Sequence, residues 1–377
     1  HNGRRRQRQM CIRDSNEAEV MLIAQITCSR ASFSIRAEVN LKQGVFYGLI
    51  GPSGSGKTTF LHALAGLVPA NGEIKFKKDI WQDHSYLAPS RRRSISTVFQ
   101  ENRLFPHLTV KENLLFAEER SLSDSCSVDM ETVVENLEID RILEKKPEQL
   151  SGGQIKRVSI ARSILSDPDV LLLDEPTTEL EDRLKSKILK FISELTKTNN
   201  KITILVSHHL PDIGRYCKET MVISKNTISP PRPTQSVFVS GLADLSNQAE
   251  SLEGSVLSVT VLDHQRDRGL TRLSLADETI VAPISDDLER GEKTNIFVLA
   301  RDVILASEQP DNISIRNCLS GQLVEINDYP DDFSSVVIID IGGQSLAARI
   351  TNSSLQDMSL QTGQTIFALI KTISVEV

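Results

Sequence analysis

The stretch "GVFYGLIGPSGSGKTTFLHALAG", residues 44–66, decides the fold. Seven nearly all-apolar residues run into a glycine-rich turn, and a helical pattern begins directly after it. A short strand with no polar alternation is one covered on both faces, as in a parallel sheet. The turn "GPSGSGKT", residues 51–58, fills G-x-x-x-x-G-K-[ST] at every position and sits between strand and helix, where that pattern has a mechanism. Gly51, Gly54 and Gly56 let the backbone N–H groups of a loop that also holds Pro52, Ser53 and Ser55 curl around a β-phosphate. Lys57 reaches the β- and γ-oxygens, Thr58 offers its hydroxyl to Mg²⁺, and Thr59 completes the phosphate-binding set.

Further along, the strand "VLLLDE" (residues 170–175) ends in Asp174, positioned to hold Mg²⁺ through water. Glu175 follows it, where a carboxylate can orient and polarise an attacking water. A third apolar run, "KITILVSHH" (residues 201–209), carries His208 just past its end. Between these lies "LSGGQIKRVSIARSIL", residues 150–165, with a serine and two glycines at the start of a helix. Two readings stand at this point. Ser151 is a helix cap, or the bare N–H groups and the positive end of the helix dipole form a phosphate site.

At 377 residues the chain has room for two or three domains. With 43 Lys+Arg against 50 Asp+Glu its net charge is -7, which argues against a general nucleic-acid binder. No apolar run approaches the roughly 20 residues a bilayer requires, so any membrane role is peripheral. Cys11, Cys28, Cys126, Cys217 and Cys318 show no paired spacing, which suggests neither a disulfide framework nor a zinc site and fits a reducing compartment. The basic opening, residues 1–15, resembles translated adaptor sequence and is set aside as a non-native tail.

Strand-like and helical patterns alternate over residues 21–224, the signature of a parallel sheet covered by helices. Three prolines in "ISPPRPTQ", residues 228–235, mark a break. Beyond it short β-rich runs with Gly and Asp turns point to a small barrel or sandwich. A faint repeat relates "LERGEKTNIFVLARDVILA" (residues 288–306) to "LQTGQTIFALIKTISVEV" (residues 360–377), so two related modules are expected. The expected domains are 16–235, with a helical subdomain near 101–165, and 236–377, with its second module at 312–377.

The set "GPSGSGKT", Gln100 in "STVFQENRLFPHLTV", "LSGGQ", "LLLDEP" and His208 resembles the ATP-binding cassette ATPases in order and spacing. The resemblance implies that Gln100 touches Mg²⁺ and the attacking water, and that its loop, with Phe105 and Pro106, faces a membrane partner. It also implies that His208 grips the γ-phosphate and that Ser151, Gly152, Gly153 and Gln154 meet an ATP held by the other subunit of a head-to-tail homodimer. Glu175, His208 and Gln100 are then catalytic, and Thr58, Gln100 and Asp174 serve Mg²⁺. The chain departs from the family in reading Thr177, Thr178, Glu179, Leu180, Glu181 where importers often read close to Leu-Ser-Ala-Leu-Asp. Phe33 is the candidate to stack on adenine; a core strand position is the other reading of it.

The tail "NISIRNCLSGQLVEI", residues 312–326, and "FALIKTISV", residues 367–375, resemble a molbindin-type (TOBE) module. The whole from about Met21 is thus similar to the ATP-binding subunits of molybdate importers. The fold class implied is an α/β P-loop NTPase with a helical subdomain, followed by an all-β, OB-like barrel. Implied cofactors are ATP and Mg²⁺. Implied partners are a second copy, two membrane permease subunits and, indirectly, a substrate-binding protein, with the chain peripheral at the cytoplasmic face of the inner membrane. Ser314, Arg316 and Lys371 are candidate oxyanion donors; the alternative makes Arg316 and Asn317 a barrel-turn support and Lys371 a solvated residue. Molybdate or tungstate as a feedback ligand, a tail that only packs the dimer, another cargo such as sulfate, iron or a sugar, and an oxyanion store all remain open.

Overall fold

The computed structural model of the protein describes residues 20–30, 33–101, 103–120, 127–240, 253–285, 287–329 and 333–377. The adaptor-like residues 1–15, with Cys11, and also Cys126 lie outside them.

The first part of the chain builds one mixed sheet from β1 (Val20–Arg30), β2 (Phe33–Lys42), β3 (Val45–Ile50), β4 (Asn71–Phe76), β5 (Asp79–Gln82), β6 (Ile95–Val98), β7 (Val170–Asp174), β8 (Ile202–Val206), β9 (Glu219–Ser224), β10 (Thr227–Ile228) and β11 (Arg232–Pro233). Their order is β5-β4-β1-β2-β10-β9-β3-β8-β7-β6, with β11 on β9. The strands β9, β3, β8, β7 and β6 run parallel, and β3, β7 and β8 are buried at every position. That burial follows from their unbroken apolar sequence, because helices cover both faces. By contrast, β1, β2, β4 and β5 pair antiparallel, and β2 alternates buried and exposed residues, so one of its faces meets solvent.

Among the described residues six α-helices accompany this sheet: α1 (Lys57–Leu64), α2 (Val110–Glu118), α3 (Met130–Asn136), α4 (Gly152–Leu165), α5 (Asp182–Thr198) and α6 (Leu210–Tyr216). Successive strand residues serve opposite cores. Phe46, Leu173 and Leu205 join the side of α2 to α6, whereas Tyr47, Leu172 and Ile204 join the side of α1. Every parallel strand thereby presents its carboxyl end to one edge of the sheet, where ligands bind in open α/β folds.

After α7 (Thr234–Ser240) come β12 (Gly254–Gln265), β13 (Leu270–Leu275), β14 (Glu278–Pro283), β15 (Lys293–Leu299), β16 (Val303–Ala306), β17 (Asn317–Tyr329), β18 (Ser334–Ile341), β19 (Gln344–Thr351), α8 (Asn352–Asp357) and β20 (Thr365–Ile370). They form two antiparallel sheets, β14-β13-β12-β15 and β16-β20-β17-β18-β19. The sheets close over one core in which Leu257, Leu273 and Ile296 meet Leu319, Ile339 and Ile366. The two copies of the sequence repeat exchange their ends. β16, from the first copy, pairs with β20 of the second, and Glu376 at the end of the second exchanges backbone bonds of 3.0 and 3.1 Å with Phe297 of the first.

Phe297 also fastens the tail to the ATPase-like part. Its ring lies edge-on to Phe238 at 5.0 Å and packs where Gly214 of α6 has no side chain. A 2.7 Å pair between Lys190 of α5 and Glu292 borders the contact.

Candidate active site

The loop between β3 and α1 turns through Gly54 (φ 75°) and Gly56 (φ 97°), conformations that favour glycine. At Gly56 a Cβ would stand 1.9 Å from Cδ1 of Ile35 and 2.9 Å from the Phe33 ring, so the loop is seated hard against β2. Phe33 thus borders the loop, half-buried at the start of its strand. Lys57 is only 7% exposed, and its Nζ donates to the carbonyls of Gly51 (2.8 Å) and Pro52 (2.9 Å). Burial lowers the pKa of this amine, while Glu175 and Asp174 raise it back. The surrounding chain therefore holds a cation aimed into its own loop.

Asp174 closes β7 and is 1% exposed. Its Oδ2 and the Ser55 hydroxyl are buried without a hydrogen-bond partner among the described residues. Buried acceptors in that condition are costly unless a ligand completes them. An oxygen-seeking Mg²⁺ with its phosphate fits these two groups, a carboxylate and a hydroxyl.

Glu175 sits just past β7 with φ 50°, a left-handed conformation rare for a non-glycine residue and typical of functional turns. Its N–H donates to the Val206 carbonyl at 3.0 Å, which fixes the turn to the end of β8. Glu175 Oε1 lies 3.3 Å from Nε2 of His208. Burial raises the carboxyl pKa, His208 through its side chain and backbone pulls it down, and Asp174 adds a further push upward. A buried base facing a histidine at the mouth of a phosphate loop is suited to taking a proton from water.

At the start of α4, Ser151 Oγ accepts from the Gln154 N–H (3.3 Å) and Gln154 Oε1 accepts from the Ser151 N–H (3.0 Å), a capping box. The two glycines have a close neighbour. A Cβ on Gly152 would stand 1.9 Å from Oε2 of Glu179, and one on Gly153 2.8 Å from the Glu179 carbonyl. Gln100 is exposed beyond β6, and its carbonyl accepts from Lys156 Nζ at 2.7 Å, as the Phe99 carbonyl does at 3.1 Å. Neither Lys156 nor the packing of Glu179 on Gly152 was singled out from sequence. The available signal was a lysine set among the buried positions of a helix.

Beside this region runs a groove of about 370 Å³ lined by Leu67, Phe99, Phe105 and Phe116 with Arg103 and Arg162. Phe105 packs on Phe116 at 4.7 Å, Arg162 lies over Phe105 and Arg103 over Phe99.

The tail candidates all lie beyond β16 in the chain. Ser314, Arg316 and Lys371 are all exposed. Arg316 precedes and Lys371 follows the ladder pair Asn317–Ile370, so the two cations flank one end of the ladder. No hydrogen bond or ion pair among the described residues joins the three. Asn317 itself is fully buried, and its amide both accepts from and donates to the backbone of Val281 at 2.7 and 2.9 Å, stitching the two sheets.

Taken with the parallel core, the chemistry collected at the strand ends is that of an ATP-binding cassette ATPase. The ABC transporter family model matches residues 36–178 and the TOBE domain model residues 313–377. Molybdenum import ATP-binding protein ModC of Mesorhizobium japonicum is 34% identical over 335 residues, which is 88% of this chain and 90% of the relative. Proteins of the same name from Pseudomonas savastanoi pv. phaseolicola and Rhizobium meliloti are 34% and 32% identical, covering 91% and 92% of this chain and 95% and 96% of theirs. This chain belongs to the family of molybdenum import ATP-binding proteins.

Proposed function

We propose that the chain hydrolyses ATP to drive uptake of molybdate or tungstate through two membrane subunits, acting as a homodimer at the cytoplasmic face of the membrane. The observation that carries the ATPase half is the joining of Lys57, the unpartnered Asp174 Oδ2 and the Glu175–His208 contact around one loop. The cargo follows from the names of relatives aligned along almost the whole chain.

In this reading Gly51 to Thr59 bind the phosphates through backbone N–H groups, Lys57 and the hydroxyls. Thr58, Gln100 and Asp174 hold Mg²⁺, which when bound neutralises developing charge on the phosphate oxygens. Glu175 accepts the proton of the attacking water, Gln100 orients that water and His208 steadies the γ-phosphate. Ser151, Gly152, Gly153 and Gln154 face the nucleotide of the second copy, whose charge the N-terminus of α4 favours. Residues 16–235 make up the ATPase unit, and the aromatic and arginine-lined groove beside Gln100 takes the membrane subunit. Residues 236–377 make up the accessory unit, in which Ser314, Arg316 and Lys371 serve a regulatory oxyanion.

The test is uptake of labelled molybdate by vesicles containing the chain with its membrane subunits and substrate-binding protein. ATP-dependent accumulation competed by tungstate and not by sulfate is expected. Accumulation of sulfate, iron or sugar in its place would overturn the cargo while leaving the ATPase.

A further inference from the structure

Lys156 is 2% exposed, a rare burial for a lysine. Its chain leaves α4 at the position one turn beyond Gly152, on the same face of the helix. The ammonium donates to the carbonyls of Phe99 and Gln100, more than fifty residues earlier in the chain. The charged groups facing it are Glu179, Asp174 and Glu175, with Glu179 the strongest of the three. Glu179 in turn holds φ 69° and lays its carboxylate on Gly152. A buried ammonium is tolerated only where hydrogen bonds and opposite charge replace water, and here both come from loops flanking the catalytic strands.

We infer that Lys156 is a positioning residue for Gln100. Its ammonium, held on the carbonyls at 99 and 100 and balanced by Glu179, which packs on the first residue of α4, ties the Gln100 loop, the Gly152 turn and the 176–181 loop into one unit. A shift of α4 is then carried to the amide that meets Mg²⁺ and water. The same tie runs in reverse, since the Gln100 loop borders the groove of Phe99 and Phe105. The inference rests on the ATPase reading given above.

The experiment compares wild type, Lys156→Met, Lys156→Gln and Glu179→Gln for kcat, half-saturating Mg²⁺, metal-free binding of a fluorescent ATP analogue, and melting temperature. Lys156→Met is expected to lower kcat about tenfold to a hundredfold and to raise the Mg²⁺ requirement, with metal-free nucleotide affinity unchanged. Lys156→Gln, which keeps a donor for the carbonyls, recovers part of kcat. A purely structural lysine would lower the melting temperature alone, and wild-type kcat and Mg²⁺ requirement in Lys156→Met would overturn the inference.

Should that variant not fold, the exposed Glu179→Gln decides. Glu179→Gln removes the carboxylate that packs on Gly152 and faces the Lys156 ammonium, while the lysine and its two carbonyl partners stay in place. A raised half-saturating Mg²⁺ at unchanged metal-free nucleotide affinity is expected, and a wild-type Mg²⁺ requirement overturns the inference. Wild-type protein without Mg-ATP hydrolysis would sink the ATPase reading itself. Hydrolysing wild type with an unaltered Lys156→Met sinks only the positioning role.

Discussion

The carboxyl edge of the parallel strands and the far end of the β17–β20 ladder both gather positive charge, in opposite surroundings. At the first, Lys57 is buried with Asp174 and Glu175 as charge neighbours. At the second, Arg316 and Lys371 stand in solvent. Coulomb energy grows several-fold when water is displaced, and exposed charges are screened within about 10 Å at 0.1 M salt. The first region is therefore preorganised by its fold, whereas the second would depend on what a ligand or a second copy adds.

The sharpest way to break that contrast is Glu175→Gln, expected to lower hydrolysis by about 10² to 10⁴ while ATP binding, measured by equilibrium titration, survives. Normal turnover would remove Glu175 from the chemistry. The same residue sets a pH signature. In the proposed role the ionised form is the base, and its pKa is raised, so activity in wild type should fall on acidification at a higher pH than an ordinary carboxylate allows, as a pH–kcat series reports.

Next in size is Phe297→Ala, which empties the contact with Gly214 and Phe238. Loss of a buried phenyl costs about 3–5 kcal/mol, read as a lower urea midpoint. A cost under about 1 kcal/mol would mean that tail and ATPase core are energetically separate. Smallest is Arg316→Ala. Its exposure limits the stability change to about 0.5 kcal/mol, and calorimetry with molybdate should show weaker binding at unchanged ATPase. Unaltered affinity would leave Arg316 a surface residue.

The α/β-then-all-β fold was legible because each of its signals is contiguous. Val45 to Lys57 is a strand, a turn and the start of a helix within thirteen residues, and backbone geometry does the rest. Asp174 and Glu175 are announced in the same way by the apolar run before them. The grip of Lys156 on Gln100 spans 56 positions of sequence, and the carboxylate of Glu179 lies on a glycine that precedes it by 27. Neither pairing leaves a local periodicity to read. Ser151 illustrates a different limit: the cap is built, but a cap and a phosphate-facing turn use the same residues, so motif and geometry together still name two uses for one place.

The exchange of ends between the two tail sheets carries a consequence for inheritance. β16 pairs at the edge of the later sheet, and residue 376 bonds to β15 at the edge of the earlier one. A recombination joint between residues 306 and 312 would therefore strip an edge from both sheets at once. Half of the tail is not a portable cassette for gene fusion, and lineages that gain or lose it are expected to do so as one indivisible insert.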